Sequence, residues 1–291
     1  MRSITTTIST STQANRVHIL GLGSIGNFVA HSLSEIPNGP SVTLLLHRKP
    51  LLDAYKKRKP NIGRDSRKQT YKLGKNGSGM IEEVNAHLFT NPNKRPSYLI
   101  GVISHGVTLN SPFNITHTGF SATSVRPVPW TTNHQPLPPN VDSIPRLNLT
   151  SYSYTSILQI QLEKLAVNAF CNPLCALNDS RNGFLFTIPE TRREILTEIS
   201  DVVLALPELK HALGLEERFS VDNLENTVNG IIQKTYNTTC SMVWDLRAGR
   251  ETEVRFINGS WSRMGRRVGV KTTVNDRLVA QVEERTRMRM A

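Results

Sequence analysis

The feature that most constrains this chain is a glycine turn set between a short apolar run and a helical one. Val17-His18-Ile19-Leu20-Gly21 reads as a buried strand that ends in the turn. Asn27 to Leu33 then shows helix-like spacing, with Phe28, Val29 and Leu33 as candidate core positions. A second apolar run, Val42 to Leu46, reads as a parallel strand. Strand, helix and strand within about thirty residues make a βαβ unit. The turn itself, Gly21-Leu22-Gly23-Ser24-Ile25-Gly26, matches the dinucleotide fingerprint. Its first glycine permits the tight bend, its second lets backbone approach a pyrophosphate, and its third lets helix pack closely on strand. The pattern alone is weak, and its position between strand and helix is the context it requires.

The end of the second strand bears on which dinucleotide. An NAD site usually places Asp or Glu there to hold the ribose hydroxyls. This chain has His47-Arg48-Lys49. A guanidinium can pair with a 2′-phosphate through two parallel hydrogen bonds, so the expected cofactor is NADPH/NADP. The alternative is that Arg48 is an ordinary solvated residue.

From Tyr55 to Lys75 the chain is polar and basic, with no core-strand signal, so the sheet is expected to be shortened. Signal resumes at Met80 to Val84 and at Tyr98 to Ile103, the latter a strand candidate. Prolines at 127, 129, 136, 138, 139 and 145 keep the next stretch extended and mark a boundary. Beyond it the periodicity becomes helical. One apolar face is Ile195, Leu196, Ile199, Val202, Val203 and Leu206. Leu224, Val228, Ile231 and Ile232 form a second, and Val254, Ile257, Trp261, Met264 and Val268 a third. The expected fold is α/β: a Rossmann-like dinucleotide-binding domain over 17–148, with an apparently shortened sheet, then an all-α domain over 149–291. Residues 1–16 read as a disordered leader. That leader is rich in Ser and Thr and lacks acidic residues, which suits a mitochondrial presequence as well as a loose terminus. The cytoplasm is the expected compartment and the mitochondrion the alternative.

A formal charge of +12 fits a nucleic-acid partner, an anionic substrate or only a basic surface. The basic residues (Lys56, Lys57, Arg58, Arg192, Arg193, Arg266, Arg267) are dispersed and lack interleaved aromatics, which argues against nucleic acid. No apolar run reaches the roughly 20 residues of a membrane span. Cys171, Cys175 and Cys240 offer neither an even disulfide framework nor metal-ligand spacing, and read as structural thiols. No metal is expected.

The segment Leu162 to Leu177 is unusual. Lys164, Asn168 and Asn172 recur every fourth position and form one helical stripe. Between them Leu165, Ala166, Val167, Ala169, Phe170 and Cys171 are apolar or weakly polar. A helix apolar on most sides is buried, and a buried ammonium and two carboxamides need partners. An anionic, oxygen-rich ligand would supply them, and burial would lower the lysine pKa toward a range useful for proton donation. A snorkelling lysine with asparagines as core hydrogen-bond glue explains the same pattern. Glu253, placed on a helical face with Ile257 and Met264 shortly after Ser241, is either functional or paired with a neighbour such as Arg250.

Together these segments resemble the ketopantoate reductase (2-dehydropantoate 2-reductase) family. They are Gly21 to Gly26, Asn76-Gly77-Ser78-Gly79-Met80-Ile81-Glu82-Glu83 and Lys164-Leu165-Ala166-Val167-Asn168. The set continues with Asn172-Pro173-Leu174, Asn182-Gly183, Ser241-Met242, Thr252-Glu253-Val254 and Ile257-Asn258-Gly259. The resemblance implies an NADPH domain, a helical substrate domain and an active site between them, reducing ketopantoate to pantoate for pantothenate synthesis. It makes Lys164 the general acid and puts Asn168, Asn172, Asn182 and Ser241 on the substrate. Gly21, Leu22, Gly23, Ser24, Ile25, Gly26, Arg48, Asn76 and Glu253 fall to the cofactor side. The implied partner is a small 2-oxo acid, with no nucleic acid and no membrane, and a homodimer is admitted.

Two departures stand against the family pattern. Family members carry two further apolar strands and a cofactor lysine between the Arg48 region and the Asn-Gly loop. Here the intervening segment is short and polar, and neither Lys72 nor Lys75 can be equated with that lysine. The exposed edge of the first strand would need another partner, for which Tyr98 to Ile103 is a candidate. Thr238 also stands where an asparagine is common. An alternative reading is therefore a non-catalytic descendant with a binding or scaffold role.

Overall fold

The structure is a computed structural model and describes residues 16–20, 24–36, 41–45, 90–91, 99–127, 144 and 146–290. The chain divides into two compact units between Ser151 and Tyr152, with Thr90 and Asn91 assigned to the second.

In the first unit, strand β1 (Arg16–Leu20) lies parallel to β2 (Ser41–Leu45), with Val17 opposite Val42 and Leu20 opposite Leu45. Helix α1 (Ser24–Ser34) connects them. Its inner face carries Phe28 and Val29, which pack with Ile19, Ile103, Ile144 and Leu147. The βαβ unit read from the hydrophobic spacing is therefore formed.

Strand β3 (Leu99–Ile103) pairs antiparallel with β6 (Thr123–Pro127), and β7 (Leu149–Ser151) adds to β6 in parallel. The suggestion that the Tyr98 to Ile103 segment covers the free edge of β1 is thus corrected. Among the described residues β1 pairs with β2 alone, and β3 belongs to a separate sheet. The hairpin of β4 (Gly106–Ser111) and β5 (Asn114–Gly119) turns the chain back on itself directly after β3. A local partner is thereby delivered to β3 at a small loop-closure cost. At the hairpin tip Pro112 precedes Phe113, which takes φ 62°, the left-handed value that a turn of this kind requires at its second central residue. Phe113 offsets that strain by packing against the first unit's core. Neither this hairpin nor β6 was legible in a stretch dominated by polar residues and prolines.

His105, just before the hairpin, is buried and fully engaged. Its Nε2 lies 3.0 Å from the Leu147 carbonyl, and its Nδ1 accepts from the Ser121 backbone N–H at 3.1 Å. The Nδ1 also lies 3.0 Å from His117 Nε2. This pattern fixes a neutral ring with the proton on Nε2, and burial holds its pKa below the ordinary histidine value.

The second unit is helical. Helix α2 (Tyr154–Leu177) begins at the N-cap Ser153, whose side chain accepts from Ser156 N–H at 3.1 Å. Its other helices are α3 (Pro189–Leu204), α4 (Leu215–Arg218), α5 (Val221–Lys234), α6 (Ser241–Arg247), α7 (Asn258–Val268) and α8 (Thr273–Met290). Helix α2 packs against α3, α5, α6 and α8, so it is the central element of this unit. Residues Leu165, Ala166, Val167, Ala169, Phe170 and Cys171 are all buried. The short α4 is pinned to it by Arg218, which donates to both carboxylate oxygens of Glu163 at 2.6 and 2.8 Å and to Gln159 Oε1 at 2.8 Å.

The face read on α3 is entirely buried. Two readings need correction. Ile231 of α5 is 37% exposed, because only Leu224, Val228 and Ile232 turn inward. The third face is not one helix either: Ile257 adopts φ −100° and ψ −87°, outside the helical region, so residues 253–257 form a turn preceding α7. No helix among the described residues is long and apolar enough to cross a membrane.

Candidate active site

The polar stripe lies on α2, where its neighbours on either side are core residues. Lys164 is largely withdrawn from water, and burial lowers its pKa from 10.5 to about 8. The carboxylate of Glu253 opposes that shift through its charge. Sequence reasoning placed Glu253 on a helical face, either as a functional carboxylate or paired with a neighbour such as Arg250. Instead it opens the turn before α7, where its carbonyl accepts from Phe256 and Ile257 N–H at 2.9 and 3.0 Å. Arg250 is bound to Asp245 at 2.9 Å. The turn brings the Glu253 carboxylate within electrostatic reach of Lys164, a relation that no spacing between positions 164 and 253 could reveal.

One turn further along α2, the Asn168 side-chain nitrogen is buried and has no hydrogen-bond partner. Buried amide donors are almost always paired in native structures, so an orphan on this stripe needs a reason. Asn172 follows, itself buried. Its carbonyl receives the Cys240 thiol at 3.7 Å, and Cys240 is the N-cap of α6. Ser241, the first residue of α6 and exposed, is therefore carried to the Asn172 end of the stripe.

Asn182 is differently placed. It sits in the 3-10 turn Asn182–Thr187, with its amide donating to Thr235 Oγ1 at 2.8 Å and its oxygen 3.7 Å from the Cys175 sulfur. Its backbone N–H donates to the Thr238 carbonyl at 3.0 Å. This carboxamide ties the interior together, as core glue does. Its neighbour Gly183 has no room for a side chain, because a Cβ there would lie 2.6 Å from the Tyr236 ring.

The three thiols form one cluster around α2. Burial pushes Cys171 up to about 12. Cys175 is also pushed up, first by its hydrogen bond to Cys240 and then by burial. Cys240 is lowered, chiefly by its interaction with the Cys175 sulfur, with help from the Val243 and Met242 backbone N–H groups. None is in a disulfide, and no group of three or more potential metal ligands occurs among the described residues.

Of the residues expected on the nucleotide side, Gly21, Leu22, Gly23, Arg48 and Asn76 lie outside the described residues, as do Lys72 and Lys75. Ser24, Ile25 and Gly26 form the first turn of α1, which contains no acidic side chain. A phosphate is favoured at such a helix start by unpaired N–H groups and the helix dipole, and nothing in this turn repels it.

A parallel βαβ unit followed by an all-helical unit with a buried lysine stripe defines the class: an α/β protein with a Rossmann-like N-terminal part and an all-α C-terminal part. The sequence matches the family model for ketopantoate reductase PanE/ApbA over residues 17–74 and its C-terminal counterpart over residues 156–286. The chain belongs to the ketopantoate reductase family, a family of oxidoreductases. It is 25% identical to a probable 2-dehydropantoate 2-reductase of Schizosaccharomyces pombe, covering 93% of this chain and 96% of that protein. To the 2-dehydropantoate 2-reductase of Vibrio cholerae it is 31% identical over 72% of this chain and 66% of that protein. Its fold is like that of 2-dehydropantoate 2-reductase from Methylococcus capsulatus, with a TM-score of 0.66, 22% identity, and coverage of 94% and 98% of the two chains. The alignment with the Schizosaccharomyces pombe protein extends over 338 positions, 47 more than the 291 residues present here.

Proposed function

We propose that this chain reduces the C2 ketone of ketopantoate to pantoate with NADPH, with Lys164 as the general acid. The bound cofactor would supply hydride. Lys164 would stabilise the oxygen as negative charge develops on it and then deliver a proton from Nζ. An ammonium whose pKa is about 8 holds its proton near neutrality and gives it up more readily than an ordinary lysine. Asn168 would donate its otherwise orphaned amide hydrogen to the substrate, and Asn172 and Ser241 would flank the same end of the stripe. Glu253 would keep Lys164 charged and could reach the cofactor side, as the resemblance implies. Asn182 would act through the packing around Thr235 rather than by contact.

The observation that carries this reading is the unpartnered, buried Asn168 nitrogen one helical turn from a desolvated lysine. An asparagine serving only as core glue would be bonded to protein, as Asn182 is. NADPH oxidation with ketopantoate should be measured for the wild type and Lys164→Ala. Loss of a positioned general acid lowers kcat by roughly 10²–10⁴-fold. Equal rates in both proteins would remove Lys164 from the mechanism.

A second reading, a non-catalytic descendant, is favoured by the short polar segment between Arg48 and Asn76. Thermal denaturation with and without NADPH separates the two. A ligand that binds the native state alone must raise its stability, by about 2.7 kcal/mol at a hundred times Kd. No stabilisation at millimolar NADPH supports the descendant.

A further inference from the structure

Helix α2 contains a proline, Pro173, one residue after Asn172. Proline has no N–H, so the carbonyl four residues earlier loses its helical partner. That carbonyl belongs to Ala169, which lies between Asn168 and Asn172 on the helix. It is not left unpaired. The side-chain nitrogen of Asn258, the first residue of α7 and completely buried, donates to Ala169 O at 2.8 Å.

The orientation of that donor is set from elsewhere in the unit. Asn258 Nδ2 also donates to Asn275 Oδ1 at 3.0 Å, and Asn275 Nδ2 donates to Glu198 Oε2 at 2.9 Å. Glu198 of α3 further accepts from the Val274 and Asn275 backbone N–H groups at 2.7 and 3.1 Å, in the first turn of α8. An ionised carboxylate only accepts hydrogen bonds. It therefore forces Asn275 to present its nitrogen, which leaves the Asn275 oxygen facing Asn258, which in turn aims the Asn258 nitrogen at α2. Flipping either amide would set oxygen against oxygen. The Asn258 oxygen is buried without a partner, so this arrangement satisfies the donor side of Asn258 at the cost of its acceptor.

We infer that Asn258 is a positioning residue for the reaction: it replaces the hydrogen bond that Pro173 withholds, and so fixes the turn of α2 that sets Asn168 against Asn172. Glu198 and Asn275 act through it by fixing its polarity. This inference rests on the assignment of the stripe to the substrate. Asn258 touches no substrate, since none of its surface is exposed. Its loss loosens the carboxamides relative to one another while Lys164, one turn before Asn168, keeps its place. The effect therefore falls on KM for the 2-oxo acid more than on kcat, and not on KM for NADPH.

The test is a rescue. Asn258→Ala removes the donor, and Pro173→Ala returns an N–H that can close the α2 bond from within. In the single variant Asn258→Ala, KM for ketopantoate should rise about tenfold, the scale of one lost buried hydrogen bond. In Asn258→Ala/Pro173→Ala it should return to within about twofold of Pro173→Ala alone. A folded Asn258→Ala protein with unchanged KM overturns the inference, and so does a double variant no better than the single one. Amide hydrogen exchange across residues 168–176 gives the same comparison without turnover: faster exchange in Asn258→Ala, restored by Pro173→Ala. If the wild type shows no ketopantoate reduction, the substrate assignment fails. The exchange pattern then still decides whether Asn258 holds this turn. Should Asn258→Ala not fold, Asn275→Ala in the wild-type and Pro173→Ala backgrounds offers the same rescue, and equal KM increases in both overturn the inference.

Discussion

Replacing Lys164 by methionine gives a pH-dependent stability difference whose sign and size follow from its setting. Methionine keeps the length and most of the packing of the side chain but cannot carry a charge. In the unfolded chain Lys164 titrates near 10.5, and in the folded chain near 8. Between those values the unfolded chain holds a proton that the folded chain has released. Stability contributed by this site therefore rises with pH across that window. Below about 8 both states are protonated, and the folded protein bears the net cost of a desolvated ammonium, part of it offset by the Glu253 charge. A difference of about 2.5 pKa units corresponds to about 3 kcal/mol. Lys164→Met should thus be more stable than the wild type by up to about 3 kcal/mol at pH 7, with the advantage vanishing by about pH 10.5. Urea unfolding of both proteins at pH 7, 9 and 10.5 measures it, because other titrations are common to both and cancel in the difference. Curves that stay parallel across this range would refute the desolvated lysine.

Further outcomes follow from other contacts. If Lys164 must be protonated to act, kcat/KM should fall above pH about 8, and Glu253→Gln should move that limb to lower pH; an unmoved limb would dissociate Glu253 from Lys164. Arg192, buried on α3, is bound to Glu225 at 2.8 Å, so Glu225→Ala should cost about 3 kcal/mol in chemical denaturation, against little for the exposed Asp222→Ala. Gly183→Ala should destabilise by about 1–3 kcal/mol through collision with the Tyr236 ring, and Tyr236→Ala should suppress most of that loss in a double-variant cycle.

The hydrophobic periodicities were a sound guide wherever burial was continuous. The strands β1 and β2 were legible as short apolar runs, and the inner face of α1 and the fully buried face of α3 because side chains such as Phe28 and Ile195 report their own environment. They failed where geometry depends on a backbone angle or a distant partner. The change of direction at Ile257 breaks what reads as a single helix from Val254 to Val268. The hairpin after His105 has a tip formed by Pro112 and Phe113, a pair without the Asn-Gly or Asp-Gly signature of tight hairpins. On the stripe, the spacing of Lys164, Asn168 and Asn172 was visible, but the difference between an orphaned Asn168 and a bonded Asn182 was not. In the sequence Asn258 stands out only as part of the Ile257-Asn258-Gly259 motif. A mid-helix Pro173 was the available signal, since it obliges some other residue to supply a donor.

The cysteine cluster makes the helical unit its own gauge of opening. Cys171 and Cys175 are enclosed and held as unreactive thiols, whereas Cys240 at the head of α6 is partly exposed and more acidic. Alkylation should therefore reach the folded protein at one position first, with the remaining two modified only as fast as α2 itself lets go. Counting modified sulfurs over time would report how firmly the helix bearing Lys164 is gripped, with no dye or engineered label.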